Sequence, residues 1–336
     1  MYREINTKKN NKMKLYPIKF EPILKSIIWG GDEICKFKGI KPEQKGIGES
    51  WEVSGVEGSI SQVANGELKG KKLDEIIREY KGQLVGKRVF ETFGDTFPLL
   101  IKFIDARDDL SIQVHPNDEL AKKRHNSFGK TEMWYVINAN QGATLYSGFA
   151  KQMNPDIYLK SIEENTFMEY LKKYDVKKGD VFYLPAGRVH AIGAGAFVAE
   201  IQQTSNITYR IYDYNRLGVD GKPRELHTEQ AKDAIDYTMY DDYRTHYENK
   251  ENQPVELVNC KYFNTDLLEL TKDITRDYVS VDSFVIYICM GGLCTIKDNK
   301  GNELSVKQGE SILIPADTEK VLIQPEGNVL LLETHA

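Results

Sequence analysis

Four side chains with metal-binding chemistry occur in three separate segments of the chain: Gln113 and His115, then Glu132, then His190. Two imidazoles, one carboxylate and one amide oxygen form a donor set that suits Zn²⁺, and also iron(II) or manganese. Because only one of these ligands is anionic, the bound ion would keep a net positive charge. Such a charge can polarise the oxygens of a hydroxy-carbonyl substrate, so the set predicts a metal site with a catalytic use.

The segments that carry these residues have the pattern of short strands. Alternation in residues 110–115 predicts one apolar face, formed by Leu110, Ile112 and Val114, and one polar face, formed by Ser111, Gln113 and His115. Polar groups inside a small barrel are costly unless they are satisfied, and a bound ion would satisfy them. Glu132 lies just before a second apolar strand at 134–137.

A motif of eleven residues occurs twice, at Val176–Ala186 and at Val306–Ala316, with an offset of 130. Each copy has a Gly-acid turn, a short apolar strand and a Pro-Ala turn, which is a β pattern and resembles the cupin (jelly-roll) family. His190 follows the first copy, whereas Lys320 stands at the aligned position of the second. The second copy is therefore predicted to share the scaffold and to lack the metal.

Two apolar stripes predict helices, one over residues 73–84 and one over 167–174, the latter with a capping box formed by Thr166 and Glu169. The predicted fold is mainly β, with two cupin β-barrel domains and short helical insertions in the first. The expected divisions are a disordered tail at 1–12, a catalytic domain at 13–245 with insertions at about 68–95 and 155–175, and a C-terminal cupin-like domain at 246–336 without metal ligands.

Longer stretches closely resemble the type I phosphomannose isomerases in their short bacterial form. The matching segments are Pro98–Lys102, Leu110–Asn117, Gly129–Tyr135, Pro185–Ala191 and Gln203–Asp213, with Trp29–Gly31 and Gly48–Glu52 near the start. The resemblance implies one Zn²⁺ per chain and interconversion of mannose 6-phosphate and fructose 6-phosphate through an enediol. It also implies that the zinc ligands are Gln113, His115, Glu132 and His190.

The same resemblance implies roles for further residues. Arg210 matches the active-site arginine, while Ser111, Lys102 and Lys130 match positions that line the sugar-phosphate pocket. The general base stays open between Lys130, a zinc-bound water and an unidentified carboxylate. Asn206 differs from the family, in which many members have aspartate at that position.

Arg210 is predicted to lie on the polar face of its strand, where a fixed cation can stabilise an enediolate or bind phosphate. The alternative for this residue is a surface ion pair with Asp213. Two alternatives for the whole protein are a non-haem iron(II) cupin oxygenase, because two histidines and a carboxylate also bind iron, and a non-catalytic cupin that binds sugar phosphates.

The amino-acid composition limits the classes of binding partner that we expect. With 45 Lys and Arg against 50 Asp and Glu, the net charge is −5, which disfavours nucleic-acid binding. No apolar run approaches the roughly 20 residues of a membrane span. A polar N-terminus and four scattered cysteines favour a cytoplasmic protein whose partner is a small-molecule sugar phosphate. The sequence predicts no oligomeric state.

Overall fold

The computed structural model describes residues 14–41, 43–218 and 221–336, so the predicted tail at 1–12 lies outside the described part. The strands in these ranges are, in chain order, β1 Ile18–Glu21, β2 Ile23–Gly31, β3 Ile47–Ser54, β4 Gln62–Val63, β5 Leu99–Asp105, β6 Ile112–Val114, β7 Glu132–Ala139, β8 Thr144–Phe149, β9 Leu171–Asp175, β10 Val181–Leu184, β11 His190–Ile192, β12 Ala196–Gln203, β13 Tyr209–Tyr212, β14 Arg244–Thr245, β15 Pro254–Asn259, β16 Asn264–Leu270, β17 Ile274–Asp277, β18 Val285–Gly291, β19 Leu293–Asp298, β20 Glu303–Lys307, β21 Ser311–Ile314, β22 Lys320–Pro325 and β23 Val329–His335.

The helices are short and lie mostly in the first half of the chain. They are α1 Glu33–Lys38, α2 Leu73–Tyr80, α3 Gly82–Val85, α4 Lys87–Phe93, α5 Asp118–His125, α6 Pro155–Glu163 and α7 Thr228–Ala234, with a 3₁₀ helix at Phe167–Tyr170. In the described ranges, none of the helices has the length and apolar character needed to cross a membrane.

The strands form two units, each made of two facing antiparallel sheets. In the first unit, a sheet in the order β14-β10-β7-β12-β5-β3-β2 faces a sheet in the order β13-β6-β11-β8-β9. In the second unit, the order β15-β16-β23-β18-β21-β1-β4 faces β17-β22-β19-β20. The prediction of a mainly β chain with two jelly-roll units is therefore confirmed.

Strand β7 shows why the apolar run near residue 134 is continuous and not alternating. Trp134 and Val136 point between the two sheets of the first unit. Met133 and Tyr135 point the opposite way, into a core that also contains Leu332 of the second unit. The two seven-stranded sheets thus lie back to back, and a strand buried on both faces needs apolar residues at every position.

The repeated motif forms equivalent turns and strands in both units. Gly179 and Gly309 have φ of 90° and 81°, a left-handed conformation that glycine adopts without strain. The strands that follow them, β10 and β21, pair with β7 and β18 respectively. The sheets do not follow the chain order, however, because β1 pairs with β21 and so lies in the sheet of the second unit. The division at 245/246 stays a proposal, and β1 precedes it in the chain although it joins a sheet made mostly of strands that follow it.

The helix predicted over 73–84 is confirmed as α2 and α3, but the helix predicted over 167–174 is wrong. Only one 3₁₀ turn forms there, Thr166 makes no capping bond through its side chain, and the chain continues as β9. Tyr174 pairs opposite Leu145 of β8, so ladder hydrogen bonds outweigh the helical spacing. The helix of this insertion is α6, which Asn154 caps through the N–H of Ile157 at 2.8 Å.

A buried ion pair joins the two units. The Lys38 ammonium donates to both carboxylate oxygens of Glu52 at 2.8 Å and also to the carbonyl of Gly309 in the second unit. We expect Glu52→Ala to lower the free energy of unfolding by about 3 kcal/mol, because it leaves a buried ammonium without its counter-charge. Urea denaturation measures this loss.

The matched control is Lys36→Ala, which removes an exposed ion pair with Glu33. Exposed pairs contribute about 0–1 kcal/mol, so this variant should unfold almost like the parent protein. Equal losses for the Glu52 and Lys36 variants would contradict a stabilising role for the buried pair.

Candidate active site

Three of the predicted ligands meet between the two sheets of the first unit. Glu132 begins β7 in one sheet, while His190 begins β11 and His115 follows β6 in the facing sheet. One ligand atom of each lies within 4.8 Å of those of the other two, and all three side chains are buried. His190 Nε2 is 3.1 Å from Glu132 Oε1, and His115 Nε2 is 3.5 Å from Glu132 Oε2.

Backbone carbonyls orient both imidazoles toward the carboxylate. His115 Nδ1 donates to the carbonyl of Ile207 and His190 Nδ1 donates to that of Arg188, each at 2.8 Å. Because a carbonyl only accepts, the proton of each neutral ring is on Nδ1 and the lone pair on Nε2 faces Glu132. This arrangement, with the distal nitrogen held by an acceptor, is typical of metal-binding histidines.

The electrostatics of the cluster favour a cation. Burial and the nearby Lys130 ammonium hold the pKa of His115 well below its usual value, so this ring stays neutral. Burial alone would raise the pKa of Glu132, but Lys130 and the two imidazoles bring it well below its usual range. Glu132 Oε1 is buried without a hydrogen-bond partner among the described residues, and it lies 3.1 Å from His190 Nε2. A metal ion would satisfy these facing acceptors.

Gln113, the fourth predicted ligand, lies on the strand next to that of His190. It lies opposite His190 in the β6–β11 ladder, and its side-chain amide is 3.3 Å from His190 Nε2. The two ends of an amide exchange by a rotation of 180°, which would present the oxygen to the same centre. The alternation predicted that Leu110 shares a face with Ile112, and this prediction is wrong. Strand β6 begins only at Ile112, and Leu110 packs between the two sheets of the first unit, in a different core cluster from Ile112.

A cavity of about 300 Å³ opens beside this cluster. Its polar lining includes every residue predicted for the substrate pocket, and further residues that the sequence did not single out. The predicted ones are Lys102, Ser111, Lys130 and Arg210; the predicted ligand Gln113 lines the cavity too, and the others include Lys25, Glu49, Trp51, Glu200 and Arg224. Asn206, at the position where many family members have aspartate, also lines it.

Lys130 and Lys102 are both buried, but their partners differ. Lys130 Nζ is 2.9 Å from His115 Nε2 and forms an ion pair with Glu132, so it lies against the ligand cluster. Lys102 Nζ lies 3.0 Å from Glu200 Oε1. Burial opposes the charge of Lys102, but Glu200, Glu49 and Glu132 together outweigh this effect and raise the pKa of the ammonium above its usual value.

Glu200 was missed by sequence reasoning. It lies on β12, where its Oε2 accepts a 2.8 Å bond from the indole N–H of Trp134 while Oε1 pairs with Lys102. The available signal was a single acid within the apolar run 196–201, since a lone carboxylate between buried residues needs a specific partner.

Arg210 is free of the ion pair that the alternative interpretation required. The carboxylate of Asp213 accepts from Arg216 at 2.7 Å and from Arg224 at 2.5 and 2.7 Å. Arg210 Nη1 instead donates to the carbonyl of Glu225 at 3.1 Å, and its Nε is buried without a partner among the described residues. This guanidinium therefore has a donor available at the cavity.

The corresponding position of the second unit has a different chemistry. Lys320 begins β22 as His190 begins β11, but Lys320 is exposed and the adjacent Val321 is buried. Opposite Val321, Arg276 donates to both carboxylate oxygens of Glu333 at 2.8 and 2.7 Å. An ion pair between Arg276 of β17 and Glu333 of β23 thus links the two sheets of the second unit.

A larger cavity of about 800 Å³ lies near the opposite end of β7, around Asn138, Asp105 and Phe197. The predicted ligand and pocket residues do not line it. The Asp105 carboxylate there accepts a 2.7 Å bond from the N–H of Glu33 at the start of α1, so its burial has a structural explanation. The smaller cavity, which adjoins the convergent ligands, is the candidate active site.

Two family descriptions match separate parts of this chain. Residues 18–142 match the family described as phosphomannose isomerase type I, catalytic domain, and residues 254–333 match the mannose-6-phosphate isomerase cupin domain. Mannose-6-phosphate isomerase ManA of Bacillus subtilis is 39% identical over 258 residues, which are 75% of this chain and 79% of the relative. The probable mannose-6-phosphate isomerase GmuF of the same organism is 33% identical over 309 residues, 90% of this chain and 94% of the relative.

A crystal structure of the mannose 6-phosphate isomerase from Bacillus subtilis superposes with a TM-score of 0.85 at 32% identity. The match covers 96% of this chain and 100% of that one, so the two proteins have both β units in the same order along the chain. The chain therefore belongs to the type I phosphomannose isomerase family.

Proposed function

We propose that this chain interconverts mannose 6-phosphate and fructose 6-phosphate through an enediol, with one Zn²⁺ held by Gln113, His115, Glu132 and His190. One observation carries the proposal: acceptor atoms of three buried ligands face one another beside a cavity lined by cations. When bound, the ion would supply a Lewis acid for the hydroxyl and carbonyl oxygens of the sugar.

The phosphate is proposed to bind at the arginine side of the cavity. Arg216 and Arg224 share the single carboxylate of Asp213, and Arg210 lies beside them without pairing to it, so this cluster has an excess of positive charge. A phosphate dianion would offer acceptors to the guanidinium N–H groups of Arg210 and Arg224, both of which line the cavity. The acidic net charge of the chain does not oppose this binding, because the local field of a pocket decides it.

The proton transfer between C1 and C2 requires a base beside the sugar carbons. Lys130 contacts Glu132 and His115 of the ligand cluster, and it is proposed to exchange a proton with an enediol oxygen. The cavity is also lined by two carboxylates, Glu49 and Glu200. Either of them is a candidate for the general base if that base is a carboxylate. Ser111 is proposed to hydrogen-bond the substrate from the same wall.

The test is a coupled assay of mannose 6-phosphate turnover with the metal content measured in parallel. We expect chelation to lower turnover at least about 100-fold, and one equivalent of Zn²⁺ per chain to restore it, because the ion supplies several kcal/mol of charge stabilisation. Protein passed through the same buffer exchange without chelator is the control.

Undiminished turnover by protein shown to be free of metal would contradict the proposal. Sugar-phosphate binding without turnover in the zinc-loaded protein would indicate the non-catalytic alternative. Oxygen consumption that depends on iron(II) would indicate the oxygenase.

A further inference from the structure

Among the described residues, Arg210 lies on a strand that has a neighbouring strand on one side only. Its strand, β13, is at the edge of the five-stranded sheet and pairs only with β6, where Arg210 stands opposite Gln113. The N–H and C=O of one residue in an antiparallel strand point to the same side, so an edge residue can leave both groups unpaired. Something other than a strand has to satisfy them.

His227 satisfies both backbone groups of Arg210. The backbone N–H of His227 donates to the carbonyl of Arg210 at 2.8 Å, and the N–H of Arg210 donates to His227 Nδ1 at 3.2 Å. Two residues earlier, the carbonyl of Glu225 accepts from Arg210 Nη1 at 3.1 Å. One short segment thus holds both the main chain and the guanidinium of Arg210.

We propose that His227 is a positioning residue that holds Arg210 at the cavity only while its imidazole is neutral. The inference rests on the role of Arg210 in the proposed function. Because a backbone N–H can only donate, Nδ1 must be the acceptor and the proton of the neutral ring is on Nε2. Protonation would place an N–H on Nδ1 directly against the N–H of Arg210, and this bond would be lost.

The charges around the ring favour the neutral form. Glu225 on the same segment, Arg210 and Tyr209 on β13 and His125 on α5 are the titratable groups that face it. Burial, Arg210 and His125 lower the pKa of His227, and they outweigh the opposite effect of Glu225. The nearest carboxylate oxygen, Glu225 Oε2, is 4.0 Å from Nε2 and is too far for a hydrogen bond to it.

The decisive variants are His227→Ala and His227→Asn, assayed between pH 5.5 and 8.5 on the metal-loaded enzyme. At pH 8 we expect His227→Ala to lower kcat/KM about fivefold, the typical effect of one hydrogen bond. His227→Asn should stay within about twofold of wild type, because its amide oxygen can accept the same N–H without titrating. As the pH falls toward the lowered pKa of His227, wild type should lose activity relative to His227→Asn, because only the imidazole gains a proton on Nδ1.

Two controls separate positioning from a structural effect. His246→Ala removes an exposed histidine that bonds to Asp242, and it should leave kcat/KM and its pH profile unchanged. In an Arg210→Ala background, His227→Ala should have almost no further effect, because there is no guanidinium left to position. Thermal melting and metal content of every variant are measured with the kinetics.

Equal losses for His227→Ala with and without Arg210 would overturn the inference, as would a pH profile of His227→Asn identical to that of wild type. Wild-type enzyme without turnover of mannose 6-phosphate would instead contradict the proposed function. An Arg210→Ala variant as active as wild type would contradict the role of Arg210, and the positioning role of His227 with it.

Discussion

His190→Ala is expected to remove the bound metal and to lower isomerase turnover by at least about 100-fold. The variant deletes an imidazole whose Nε2 is 3.1 Å from Glu132 Oε1, at the point where β7 of one sheet faces β11 of the other. Loss of groups that merely orient metal ligands already costs about 10–100-fold in affinity or activity, so loss of a ligand should cost more. Metal analysis and the coupled assay on the same preparation measure the two effects.

The control for this variant is His246→Ala, since His246 is exposed, pairs with Asp242 and does not belong to the ligand cluster. It should keep one metal per chain and full turnover. Trp134 offers a second readout, because its ring lies edge-on to His190 at 5.2 Å between centroids. Its fluorescence should respond to added metal in the wild type and not in His190→Ala. Full turnover by a metal-free His190→Ala protein would exclude the proposed metal site.

Arg210→Ala should also lose turnover, but unlike His190→Ala it should retain the metal. Arg210 is not a ligand, and its free Nε and its bond to the carbonyl of Glu225 place a cation at the cavity wall. We expect kcat/KM to fall by about 100- to 1,000-fold, the typical effect of removing one donor that stabilises developing charge. Steady-state kinetics with metal analysis test this, and Arg210→Lys should recover only part of the loss because it lacks the planar fork of donors.

Arg107→Ala is the matched control, because Arg107 is exposed and pairs with Asp108 outside the candidate site. Its kinetics should equal those of wild type. If Arg210→Ala lost metal and turnover in equal measure, Arg210 would be a structural residue and the phosphate would have to bind elsewhere.

Local patterns were enough to predict the parts of the site that belong to single segments. Alternation predicted that Gln113 faces the barrel interior, and the repeated Gly-acid and Pro-Ala turns predicted the two units and their mainly β class. These features depend on residues within about ten positions of one another, because side-chain direction in a strand and turn conformation are set by neighbouring backbone. The same local reasoning failed at 167–174, where helical spacing lost to pairing with β8.

The sequence by itself thus determined the fold class, the family and the types of donor at the site. Only the tertiary structure decided that β1 completes the sheet of the second unit, that Glu200 pairs with Lys102, and that His227 holds Arg210. The physical reason is distance along the chain. Glu200 and Lys102 are brought together by a ladder between β12 and β5, and such pairings follow from how all strands pack at once and not from any one segment.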